Sequence, residues 1–142
     1  MQVHVSHDGE EVEALFVIDE EMKLMYASYP EVLIMDATYK LTNDRMAVYI
    51  LMAIDGNGES HVVCYFLVKT ETQAVLTEMV NSFTSRFDAD TVAKTRVVVT
   101  DKDFTKTAIL RASFPRASLQ LCLYHTLRSF GRELTTVRLG LS

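Results

Sequence analysis

Residues 46–68 read MAVYILMAIDGNGESHVVCYFLV, two apolar runs rich in Val, Ile, Tyr and Phe on either side of the turn DGNG at 55–58. Such runs have strand composition, and Asp-Gly and Asn-Gly dipeptides are strong hairpin signals. So short a connection forces the strands over 46–55 and 60–68 to pair antiparallel. Asp55 is read as the first residue of the turn. Just upstream, VLIMDAT (32–38) is another apolar run, released from the preceding helix by Pro30. The chain is therefore expected to lay down a three-strand meander before its next helix. That disfavours the receiver-like and phosphatase-like folds, which alternate strand and helix from the start.

Outward from the meander the period changes. In 71–87, Val75, Met79, Val80 and Phe83 fall on one helical face, with Thr70 as the expected cap. RVVVT (96–100) is short and almost wholly apolar, which suits a central parallel strand covered on both faces. It ends at Asp101. A helix over 104–113 follows, with Asp103 as its expected N-cap, and stops near Pro115. SLQLCLY (118–124) reads as the last strand, and a basic helix is expected over 125–135. Upstream, VEALFVI (12–18) is a short strand, and Asp19 caps a helix over 20–28 whose first turn carries Glu20 and Glu21. Residues 1–10 are expected to be a flexible tail, 11–135 one domain, and 136–142 a tail or truncation scar. A meander followed by βαβ crossovers predicts an α/β fold of ribonuclease H-like order. Its mixed five-stranded sheet would carry helices on both faces. The strand over 60–68 is the candidate for an exposed edge.

The 142 residues are one domain's worth of chain, 49% hydrophobic and 23% charged, as in ordinary globular proteins. No apolar run approaches the ~18 residues that span a bilayer, so no membrane partner is expected. Two cysteines, Cys64 and Cys122, make no disulfide framework, and a reducing, intracellular setting is the expectation. The net charge of -5 argues against gripping nucleic acid by bulk electrostatics. The exception is a local skew: Arg111, Arg116, Arg128, Arg132 and Arg138 face a single acid, Glu133. A solvated helix face accounts for that skew as well as a DNA surface does.

Two aspartates draw attention because each follows an apolar strand: Asp36 after VLIM, and Asp101 after RVVVT. If those strands are parallel neighbours, about 4.8 Å apart, the carboxylates come together at one sheet edge. Such a pair repels unless a cation neutralises it, and hard oxygen ligands favour Mg²⁺ or Mn²⁺. The chemistry served is metal-assisted phosphoryl transfer. Each Asp taken alone is better read as a strand-end cap or turn start, and only the pair on neighbouring strands brings the metal reading level with it.

MDATYKLTN (35–43), the DGNG hairpin, ET (71–72), VVVTDKD (97–103) and FPRASLQLCLYH (114–125) occur in order and at fitting intervals. Together they resemble the DDE transposase domain of Mutator-like elements and its domesticated relatives. Those include the plant far-red-response transcription factors and, nearest in flavour, the animal SWIM zinc-finger proteins. The resemblance covers roughly 12–135. It implies a ribonuclease H-like domain in which Asp36 and Asp101 match the first two catalytic acids, holding Mg²⁺ or Mn²⁺. It also implies that Cys122 and His125 form the family's CxxH motif, a candidate zinc pair. The third acid, a Glu, lies in the family well beyond that motif. Glu133 stands too close to the CxxH to take its role, and the SWIM zinc-binding segment is missing.

The resemblance thus implies a nuclear protein's DNA-associated, protein-interaction or transcription-related module, with DNA and nuclear proteins as partners and catalysis lost. The alternative is a metal-dependent DDE nuclease or transposase whose third acid lies beyond residue 142. Minor candidates are His4 and His7, His61 and Cys64 as soft ligands, and Lys40 as a phosphate contact.

Overall fold

The computed structural model describes residues 1–38, 46–101 and 104–121. Their elements are β1 (Gln2–Asp8), β2 (Glu11–Ile18), α1 (Glu20–Ser28), β3 (Val32–Thr38), β4 (Ala47–Ile54), β5 (Ser60–Val68), α2 (Gln73–Thr84), α3 (Ala89–Ala93), β6 (Val97–Thr100), α4 (Phe104–Ser113) and β7 (Ser118–Leu121). The strands form one mixed sheet of seven, in the order β1-β2-β5-β4-β3-β6-β7. From β1 to β3 every pairing is antiparallel, and β3–β6 and β6–β7 are parallel.

The meander and the crossovers are where the sequence places them. So are several local signals. Asp55 Oδ1 accepts from the backbone N–H groups of Asn57 and Glu59, closing the hairpin turn. Asp19 caps α1, its Oδ1 accepting from Met22 N at 2.8 Å. The α2 cap is Thr72 rather than Thr70: its hydroxyl accepts from Val75 N at 3.3 Å.

The expected tail, 1–10, is instead an edge strand. β1 pairs with β2 from Gln2↔Ile18 to Asp8↔Glu11, across a turn in which Gly9 takes φ 66. A positive φ of this kind suits glycine, which has no Cβ to clash. The strand is also held sideways. The His4 imidazole donates to Glu78 Oε1 (2.7 Å) and Ser6 to Oε2 (2.9 Å), so β1 is laced to α2. These bonds, the one from His4 foremost, hold the Glu78 carboxyl below its ordinary range. With β1 and β2 added, the sheet has seven strands and not five. β5 lies in its interior, paired to both β2 and β4, so it is not the exposed edge that its sequence suggested.

One face of the sheet builds the core. Directly opposed residues share a face, and the pairs Phe16↔Phe66, Tyr49↔Phe66, Leu51↔Cys64, Met35↔Leu51 and Leu33↔Val98 join into a continuous buried layer. Phe83, Met79, Leu76, Ile109, Leu110 and Tyr26 from the helices complete it. The Tyr26 ring packs on Phe83 and Phe87, and its hydroxyl shares a 2.6 Å hydrogen bond with the buried Thr95. Burial raises the Tyr26 pKa, with the Thr95 bond opposing it. Among the described residues the helices gather on this one face. The opposite face, with Val17, Tyr65, Ile50 and Ile34, is half-buried. The helix expected over 125–135 and the Asp103 cap lie outside the described residues.

Phe66 stacks on Tyr49 with ring centroids 4.8 Å apart and planes 8° from parallel. Phe66→Ala is expected to cost about 3–5 kcal/mol, since it opens a cavity at the centre of the layer. Val5→Ala, on the exposed edge, should stay within about 0.5 kcal/mol. Urea denaturation followed by circular dichroism compares the two.

Candidate functional site

β3 and β6 are the structural reason to look at Asp36 and Asp101 together. Their parallel register runs Val32↔Val97, Leu33↔Val98, Ile34↔Val99. Carried onward in the same register, Asp36 comes level with Asp101, on neighbouring strands at one end of the sheet. The backbone arrangement expected from the sequence is therefore present.

Asp36 is directly opposite Ile50 in β4, so it belongs to the half-buried face, whereas its neighbours Met35 and Ala37 belong to the core face. Asp101 is engaged by α4. Lys106, in the first turn of α4, donates from Nζ to Asp101 Oδ2 at 3.0 Å, with the lysine side chain 3% exposed and the aspartate 34%. The same Nζ lies 5.0 Å from the centroid of the Tyr49 ring, a cation–π distance. The Tyr49 hydroxyl in turn donates to Glu71 Oε1. Asp101, Lys106, Tyr49 and Glu71 thus form one connected polar path along the edge of the core.

Two carboxylates are a suitable donor set for a hard divalent cation. Asp101 here already pairs with a buried ammonium, which opposes a second cation at that carboxylate.

Sequence reading missed Lys106, as it did Tyr49 and Glu71 of the same path. The signal for the lysine is nonetheless present: Lys106, Ile109 and Leu110 share the buried stripe of α4, so a lysine stands where an apolar residue is expected. A charged side chain on such a stripe is buried only with a partner.

Cys122 and His125, the candidate zinc pair, lie outside the described residues, as do Lys40 and Glu133. Cys64 is buried in the core layer, and burial pushes its thiol pKa up. His4 is spent on Glu78. A different group could hold a metal ion: ligand atoms of Asp55, Glu59 and His61 lie within 4.8 Å of one another. This group sits at the hairpin turn, at the other end of the sheet from Asp36 and Asp101. Its internal bonding is that of the turn, since His61 Nε2 donates to Asp55 Oδ2 at 2.7 Å while Oδ1 serves the backbone. His61, and then the Glu59 N–H, hold the Asp55 carboxyl below its ordinary value. No helix among the described residues is long and apolar enough to cross a membrane.

A seven-stranded mixed sheet in which β3, β6 and β7 run parallel, with helices packed on it and acids toward the ends of β3 and β6, defines a ribonuclease H-like domain. The chain belongs to the family described as zinc finger SWIM domain-containing protein 1/3, RNaseH-like domain, which matches residues 1–120. It is also similar to the transposase for insertion sequence element IS1201 of Lactobacillus helveticus, 31% identical over 99 residues. That match covers 67% of this chain and 26% of the transposase, so the chain spans about a quarter of the relative's length. The domain is transposase-derived.

Two outcomes follow from this geometry. Asp101→Ala leaves the Lys106 ammonium buried without its anion and is expected to destabilise the fold by about 1–3 kcal/mol, discounted for the partial exposure of Asp101. Thermal unfolding of this variant beside the parent chain measures the loss. At the hairpin, a carboxyl whose pKa is lowered on folding stabilises above its unfolded value of 3.8 and loses that contribution as pH falls through the lowered value. Asp55→Asn should therefore be less stable than the parent chain at pH near 7, and the gap should close in acid. Urea midpoints at neutral and acid pH measure it.

Proposed function

We propose that this chain is a non-cutting, transposase-derived ribonuclease H-like module of a nuclear SWIM-type zinc-finger protein, serving DNA association or protein interaction in transcription. Membership of the SWIM domain-containing family and the similarity to an insertion-sequence transposase support the ancestry. The observation that carries the non-cutting half is the Asp101–Lys106 ion pair. Two-metal phosphoryl transfer needs acids free to turn toward shared cations. Here the second acid is spent on a buried lysine. The net charge of -5 further suits a module that meets DNA through a local basic surface or through a partner, not by its bulk field.

The competing reading is a metal-dependent DDE nuclease or transposase completed by an acid beyond residue 142. It is favoured by the strand register that sets Asp36 level with Asp101. Zinc at Cys122 and His125 belongs to either reading and is tested by metal content after mutation of Cys122.

Incubation with supercoiled DNA and Mn²⁺ separates the two readings. The expected result is no nicking by the parent chain above that of Asp36→Ala and Asp101→Ala. Robust nicking abolished by either substitution would replace the non-cutting reading with the nuclease. Nuclear localisation is checked by imaging the tagged parent protein in cells.

A further inference from the structure

A lysine that merely paired with a surface aspartate would swing away when a divalent cation arrived. Lys106 is not placed to do so. It rises from the first turn of α4, on the stripe it shares with Ile109 and Leu110, and is 3% exposed. Its ammonium is bracketed by Asp101 Oδ2 at 3.0 Å and by the face of Tyr49 at 5.0 Å. The Tyr49 ring is itself immobilised, stacked on Phe66 on one side and hydrogen-bonded through its hydroxyl to Glu71. The pocket for the cation is thus built by four elements of the fold: β4, β5, α4 and the end of β6.

We infer that Lys106 is a built-in counter-cation for Asp101, standing in for the charge that a metal ion supplies in a transposase of this fold, so that the domain folds without a divalent cation and resists binding one. The inference rests on reading Asp36 and Asp101 as descendants of a catalytic acid pair, and it adds the residue that closes their site. The physical reason is charge. Two carboxylates borne level on neighbouring strands make a doubly negative strand end, which a divalent cation relieves. With the Lys106 ammonium against Asp101, the local charge falls by one. A metal ion approaching Asp101 then meets a like charge that cannot retreat into water. Removing the ammonium takes away that like charge and restores the attraction of the strand end for a divalent cation.

The test is Mn²⁺ binding by the whole chain, read by isothermal titration and by the electron paramagnetic resonance signal of free Mn²⁺. The parent chain is expected to bind at millimolar strength or weaker, the range of poorly built oxygen sites. Lys106→Met should tighten binding by about ten-fold or more, the size of a single near-charge effect. Adding Asp101→Asn to that variant should remove the gain.

Tight Mn²⁺ binding by the parent chain that Asp101→Asn abolishes overturns the inference, as does unchanged affinity in a folded Lys106→Met variant. If Lys106→Met does not fold, the Lys106→Met/Asp101→Asn pair is expected to regain the fold, since neither charge is left buried alone. Mn²⁺ broadening of amide resonances in the parent chain then decides the question. Broadening at Asp101 at sub-millimolar Mn²⁺ overturns the inference, and its absence supports it. Unchanged affinity in Lys106→Met would leave the DNA-association reading standing, whereas nicking by the parent chain would sink the non-cutting reading whatever Lys106→Met binds.

Discussion

The parallel pairing of β3 with β6 is the constraint on which the rest of the molecule depends. It joins two halves made by different means, a meander built by short turns and a βαβ segment built by crossover helices. Parallel strands cannot be joined by a tight turn, so β6 must come back beside β3 after the whole α2–α3 excursion. The apolar run VVVT makes that return favourable, with Val98 buried opposite Leu33. The same three rungs that align Val97–Val99 with Val32–Ile34 also set Asp36 level with Asp101. Fold and site therefore share one register, and a slip of one residue would reverse both the core face and the face on which each acid stands.

Around that register the core and the polar edge are one structure. Tyr49 shows why. Its ring belongs to the buried layer through Phe66, while its hydroxyl and its free face serve Glu71 and Lys106. A buried ammonium is costly unless paired. Asp101 and the aromatic face together offset that cost, so the charge at the strand end is tied to the packing of the sheet. This differs from a site whose carboxylates are held apart from the core to receive ions. Membership of a SWIM-protein family together with similarity to an insertion-sequence transposase gives the fold its context, a transposase-derived domain.

Much of this was legible in the residues. The hairpin at 55–58, the caps at Asp19 and within the α2 start, the strand at 96–100 and the helix at 104–113 follow from local chemistry and periodicity, and each is present or nearly so. β1 was not read, although its Asp8-Gly9 turn and the alternation of Val3 and Val5 with His4 and Ser6 carry the pattern of a hairpin strand. The polar residues masked it: His4 and Ser6 face the helix layer because Glu78 on α2 waits for them, a partner distant in sequence. β5 read as an edge for a similar reason, since its second neighbour, β2, lies far upstream.

By itself the sequence determined the strand and helix order, the ribonuclease H-like class, the placement of Asp36 and Asp101 at strand ends, and the transposase kinship. The order and the class are properties of local composition and spacing, where turn length and hydrophobic period leave few alternatives, whereas the kinship rests on the resemblance of the ordered motifs to a known family. Only the tertiary structure decided what becomes of the second acid. Lys106 is an unremarked lysine until α4 lays its apolar stripe on the sheet and brings the ammonium between Asp101 and the ring of Tyr49. A charge is assigned its role by what surrounds it in space, and that neighbourhood is assembled from β4, β6 and α4, segments the chain keeps far apart.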